Sequence, residues 1–402
     1  MKKSSLLIFY LFISFYGYTQ TVKDYKVPFS YIQLPIEPLN KAITSYDVVF
    51  EDDFQQANQD TLAAYNTRLE AAKKEQASLL EIWNKDRLRI DRLYLSEMAV
   101  WEKAVNSGNA MVQPVKQPYP DYPLLKPVAL AVLTNEVESD YCSSKINLSG
   151  YEKGPAGVVI TLTHHGFQSA KIVKKISGSA SLKRYKYTAH FKMPVQVKIV
   201  APIQGLIYEK NYYFNESTEL IKSEKSQYDF QLWWMDNEEK YWKSLQNKLL
   251  NNILSNLNSH VNTNYGFPQK SSESEIYVIK KYKDYDYASM VDAMSLAKKG
   301  YLDLINEVDK KSAKESLLKA IEIWEKDLEE SNLNENKTRI NKKSTALLYA
   351  NLAEAYMWFE DFDKADLYIN KAITLGVLKY KNHCKRLQDR MGNLKKRYSA
   401  NN

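Results

Sequence analysis

The chain has 402 residues, too many for one ordinary core, so two or three domains are expected. Its composition is 44% hydrophobic and 26% charged, with only 12 Gly and 12 Pro, which excludes bulk disorder. The net charge of +8 is a modest excess on a chain of this length.

Lys2 and Lys3 open the chain, an apolar and aromatic run covers residues 6–16, and Gly17 and Thr19 follow. Together they read as a secretory signal peptide over residues 1–19. The run is shorter than the ~20 residues of a spanning helix, and no cysteine near the cut indicates a lipid anchor. No later segment reads as transmembrane. The expected location is bacterial and exported: periplasmic, extracellular or associated with the outer membrane. Nucleic acid is not an expected partner there. A polyanionic envelope surface is, through the basic tail of residues 379–397, where eight Lys or Arg stand against the single acid Asp389. The plainer reading of such a run is a solvated helix face. An oxidising compartment would permit a disulfide between the two cysteines, Cys142 and Cys384. Two unpaired buried thiols is the alternative.

In chain order, residues 27–39 hold three prolines among alternating apolar residues and read as extended or edge-strand structure. Residues 46–50 read as a short strand ending in Glu51, Asp52 and Asp53. Residues 55–106 contain neither Gly nor Pro and are rich in good helix formers. Their apolar residues recur at spacings of three and four, which predicts one long amphipathic helix or two broken near residues 84–86. So long a helix is a coiled-coil arm, one side of a helical layer, or a surface for self-assembly. Residues 107–127 carry Gly108 and five prolines and read as a stiff linker.

Strands are then expected at residues 128–134, 158–165, 185–191 and 195–199, the last leading through a turn into 206–214 as a hairpin. Asp236, with Glu239 three residues on, predicts a helix start, followed by an apolar stripe from Trp242 to Leu257. Residues 275–279 read as a strand that rejoins the preceding sheet. From residue 287 the chain reads as helical, with helices over residues 290–305 and 313–328.

Residues 346–379 place Tyr349, Leu352, Ala353 and Tyr356 on one helix and Ala365, Ile369 and Ala372 on a second, with a turn at residues 360–363. The alanines let two helices approach closely while the tyrosines fill the space beside them. This spacing resembles a tetratricopeptide repeat. A weaker echo precedes it, where Ala313 and Ala320 repeat the seven-residue spacing of Ala365 and Ala372. Val377 stands where the family often has proline, so the second helix is expected to run on toward the basic tail. The resemblance implies a partner-docking helical domain and a concave face carrying Leu347, Ala350, Asn351, Glu354 and Met357. The alternative is that neighbouring helices bury those five.

No phosphate-binding loop, dinucleotide fingerprint or nucleophile elbow is present. His164 and His165 are adjacent in a predicted strand and point to opposite faces, so they do not form a metal pair. The acidic triplet at residues 51–53 lacks the ligand spacing of a calcium loop. Trp233 and Trp234 could stack on sugars, or divide between core and surface. No cofactor is expected.

The resulting expectation is an α+β domain over residues 20–286, with a long helix or helical hairpin inserted at 55–106, followed by an all-α tetratricopeptide-like domain over 287–402. Its expected role is a non-catalytic, partner-docking scaffold. The alternatives are a glycan-binding or hydrolytic enzyme with its site in the β-rich region, and a structural subunit assembling through residues 55–106.

Overall fold

A computed structural model describes residues 20–178, 183–224, 226–305 and 310–402. The expected signal peptide lies outside the described residues. The chain is mixed α and β, with a helical C-terminal region.

The first half holds β1 (Thr21–Ile32), β2 (Ser45–Asp52), α1 (Gln55–Asn106), α2 (Ser139–Ser144), β3 (Glu152–Lys153), β4 (Val158–His164), β5 (Ser169–Ser177) and β6 (Arg184–Lys192). Next come β7 (Val195–Ala201), β8 (Gly205–Tyr212), β9 (Ser217–Glu224), α3 (Gln227–Asn264) and β10 (Gln269–Lys281). The helical region is α4 (Ala288–Leu302), α5 (Lys310–Leu328), α6 (Lys342–Phe359), α7 (Phe362–Leu375) and α8 (Leu378–Asn401).

Two compact units emerge, and neither is one continuous stretch of chain. Among the described residues, the first joins those of 20–45, 147–153 and 257–402; the second holds those of 46–146 and 154–256. The division therefore differs from a single boundary at residue 287: β1 and β10 belong with the C-terminal helices.

In the second unit β2 pairs with β4 in parallel, and β4, β7 and β8 continue antiparallel. A separate antiparallel sheet has the order β5-β6-β9. Strict alternation in β4 and β7 buries one face of each strand: Val158, Ile160 and Leu162, and Val195, Val197 and Ile199. The predicted strand at residues 128–134 does not form. At its end, side-chain rather than strand partners take up the backbone: Asn58 accepts from Thr134 N–H at 2.9 Å and donates to Thr134 C=O at 3.0 Å. Helix α3 begins at Gln227, not near Asp236. Its first turns are held by aromatic packing, with Phe230 stacked on Tyr187 at 3.4 Å and Trp234 behind it at 5.6 Å.

In the first unit β10 does not rejoin the sheet before it. It pairs antiparallel with β1, from Thr21 opposite Lys281 to Ile32 opposite Gln269. Helix α6 lies at the centre of the core, with 14 of its 18 residues buried. Asn341 caps its start, accepting from Lys343 and Ser344 N–H, and Glu360 in the left-handed region (φ 73°) ends it. Asp361 then caps α7. Gly376, also left-handed at φ 73°, stops α7, so the second helix does not run on into the tail. In α4, a Cβ at Gly300 would come within 2.7 Å of Leu317, so only glycine lets α4 and α5 approach this closely.

Both cysteines are free and buried. The disulfide that the sequence permits between Cys142 and Cys384 is not formed, and the alternative of two unpaired buried thiols is what the structure has.

Candidate functional site

Three places gather the residues singled out in the sequence. The first is the inner face of α6. Leu347, Ala350, Asn351, Glu354 and Met357 are all at most 2% exposed. They do not form one open groove: β10 of the same chain takes up Asn351 and Glu354, while Met357 lines a small, partly enclosed cavity. Asn351 grips the strand as a second strand would: its Oδ1 accepts from Tyr277 N–H at 2.9 Å and its Nδ2 donates to Tyr277 C=O at 2.8 Å. Glu354 accepts from the Ser274 hydroxyl at 2.6 Å and from Glu275 N–H at 3.2 Å. His383 Nε2 and Arg390 Nη1 of α8 stand 3.3 and 3.9 Å from the Glu354 carboxylate, so the Arg390 guanidinium gives this buried group a cationic neighbour.

Sequence reading missed the contribution of α8. The signal was present: His383, Arg390 and Arg397 recur at seven-residue spacing, on one face of a helix. The basic tail is largely engaged within its own unit. Lys379 pairs with Asp24, Arg386 with Glu275 and Lys395 with Asp363, and Arg397 is buried.

The second place is an acid–histidine cluster built by parallel pairing. The register sets Glu51 opposite Thr163 and Asp52 opposite His164. As the chain leaves both strands, His165 Nδ1 meets the Asp53 carboxylate at 2.7 Å. Gly166, at φ 71°, makes the turn: a Cβ there would come within 2.4 Å of Phe54 and 2.7 Å of the Thr134 hydroxyl. That hydroxyl accepts from Phe167 N–H at 2.6 Å.

His164 is fully buried beside the rings of Phe50 and Phe54. Burial, with His165 next, holds its pKa down at about 4, and Asp53 opposes them. Asp52 Oδ1 lies 3.5 Å from His164 Nδ1, outside hydrogen-bond geometry. Burial, then the Glu136 and Asp53 charges, raise Asp52 to about 6. The sequence places these residues in two unrelated pairs of observations; only the β2–β4 register joins them.

Asp53, Asp60, Thr61, His165 and Gln168 line a recess of about 530 Å³. An imidazole held by a carboxylate can act as a general base. The lining offers Thr61 as its one side-chain hydroxyl and no thiol. Among the described residues no group of three His, Cys, Asp or Glu could hold a metal ion. Of the tryptophan pair, Trp234 is buried, while Trp233 is half-buried with Lys222 Nζ 4.7 Å from its ring.

The third place is α1 with the proline-rich segment after it. The helix is continuous over 52 residues, about 78 Å at ~1.5 Å per residue. The following segment runs back along it, its carbonyls taken by indoles and an amide of the helix. Trp101 Nε1 donates to Met111 C=O at 3.1 Å, Trp83 Nε1 to Pro120 C=O at 2.8 Å and Gln76 Nε2 to Pro123 C=O at 3.3 Å. Lys116 pairs with Asp91 at 2.6 Å, and Lys126 pairs with Glu75. The segment is a strap fastened to the helix rather than a spacer. Only Ile90 of α1 is buried, while Ile82, Leu88, Leu95 and Val100 are 48–66% exposed.

Among the described residues no helix is long and apolar enough to cross a membrane. Compared with known protein families, curated proteins and solved structures, the chain has no match.

Proposed function

We propose that this chain is an exported, non-catalytic interaction scaffold that docks a protein partner on α1 and its strap. The observation that carries the reading is the exposed apolar side chains along α1, continued on the strap by Val112, Val115 and Leu124 at 77–91% exposure. By their spacing Ile82, Leu93 and Val100 share one face of the helix, and exposed apolar side chains gathered on one face suit an interaction site. The tetratricopeptide-like hairpin of α6 and α7 has a supporting role in this reading. Its inner face holds β10, so the partner is met elsewhere.

The test is a pull-down from bacterial envelope extract with the native chain and with the triple variant Ile82→Glu, Leu93→Glu, Val100→Glu. All three side chains are exposed, so the melting temperature should stay within a few degrees of native. Loss of the retained partner supports docking on α1. Retention of every partner by the variant overturns it. A native mass of twice the monomer, abolished by the same variant, would make the partner a second copy.

The Asp53–His165 pair in its recess favours a second reading, a hydrolytic or glycan-processing site in the β-rich region. Turnover of chromogenic ester or glycoside substrates that disappears in His165→Ala would establish it; equal turnover in both proteins would remove it.

A further inference from the structure

Arg397 differs from the other two members of its seven-residue series. His383 and Arg390 face Glu354, whereas Arg397 has no carboxylate partner among the described residues. It is 4% exposed. Its Nε donates to Asn393 Oδ1 at 2.6 Å, and its Nη1 donates to Leu34 C=O at 2.6 Å and Thr263 C=O at 3.0 Å. Neutral carbonyls satisfy donors but leave the charge uncompensated, and a buried guanidinium without a counter-charge is expensive.

This guanidinium borders a partly enclosed cavity of about 120 Å³ whose walls include Tyr31, Leu304, Trp358, Phe362, Leu394 and Tyr398. The Trp358 indole N–H is buried and has no hydrogen-bond partner. Glu360 is the acid in the lining, and its carboxylate is paired with Lys314. Aromatic walls, one uncompensated cation and one unsatisfied N–H donor describe a site for a ligand with an apolar body and a negative end. Its volume is somewhat below the roughly 150 Å³ that takes one benzene ring, so it holds at most one ring, and its open side leaves room for the charged end.

We propose that this cavity binds an apolar monocarboxylate of single-ring size, its ring between Trp358 and Phe362 and its carboxylate on Arg397. Two sources share that chemistry: a free small acid, and the C-terminal residue of a peptide. The site is distinct from the α1 surface, and neither depends on the other.

The test is calorimetric titration of the full chain with 3-phenylpropionate, 3-phenylpropionamide, and glycyl-glycyl-phenylalanine as free acid and as amide. In parallel, the indole N–H resonances are followed, with that of Trp358 identified through Trp358→Phe. Saturable binding of an acid is expected, with the matching amide at least about tenfold weaker, and with the Trp358 resonance shifting along the same isotherm. The tighter of the two acids names the source. Leu394→Trp, which fills the cavity and leaves Arg397 in place, should abolish binding while the circular dichroism spectrum is unchanged. Should that variant not fold, Trp358→Phe serves instead, keeping an aromatic wall and weakening binding severalfold. No saturable binding of either acid, equal binding of acid and amide, or an unmoved Trp358 resonance would each overturn the proposal. Arg397 would then be only a tether between α8 and the two carbonyls.

Discussion

Desolvation acts in opposite directions on Asp52 and His164, which stand opposite each other across β2 and β4. Asp52 holds its proton more tightly folded than unfolded. Its contribution to stability is complete below its ordinary value of 3.8 and is lost as pH rises through about 6. His164 is held neutral, so its contribution is complete above 6.5 and is lost as pH falls through about 4. The two slopes oppose each other across this window, and single substitutions separate them. The stability of His164→Phe minus that of the native chain should fall between pH 4 and 7, by on the order of 2–3 kcal/mol in urea denaturation. For Asp52→Asn the same difference should rise between pH 4 and 6. Flat difference profiles for both variants would show that neither group titrates as its burial requires. Both residues stand out in the sequence, yet composition and spacing cannot reveal that they meet. Their encounter depends on a parallel pairing between strands more than a hundred residues apart.

At the scale of elements, the periodic stretches were readable and their partners were not. The 55–106 helix, the alternating strands β4, β6 and β7, and the pairing of α6 with α7 follow from apolar spacing, although the stop of α7 at Gly376 was not read. The strand at residues 275–279 was equally legible, but its pairing with β1 was not, because alternation names a face and never a neighbour. Asn351 shows the consequence. On sequence grounds it lies on an expected concave face; in the structure it supplies both hydrogen bonds that hold the Tyr277 backbone. Asn351→Ala would leave a buried N–H and a buried C=O without partners. It should lower stability by about 2–4 kcal/mol, read from the urea midpoint. Asn351→Asp keeps the acceptor, loses the donor and adds a charge beside Glu354, so it too should destabilise. A change below about 0.5 kcal/mol in both variants is what an exposed groove residue would give, and would mean that β10 does not occupy this face in solution.

For the molecule as a whole, the two thiols report on the two units separately. Burial raises Cys142 to about 11 and Cys384 to about 12, so neither is a ready nucleophile near neutral pH. The folded chain should react with Ellman's reagent only slowly at pH 8, and both thiols should appear once guanidinium unfolds it. Single-cysteine variants, Cys142→Ser and Cys384→Ser, would read the denaturant midpoint at each unit separately. Rapid labelling of the native chain, or absence of free thiol after full unfolding, would contradict the two buried, unbridged cysteines. The sequence by itself determined the local elements, the small residues that allow helices to approach, and the α and β composition, because propensity, periodicity and capping act over a few residues. Only the tertiary structure decided which strand fills the face of α6, that Asp53 meets His165, and that Arg397 is buried beside an aromatic cavity without a counter-charge. Those outcomes rest on contacts between residues far apart in the chain, whose hydrogen bonds and desolvation exist only once the fold has closed.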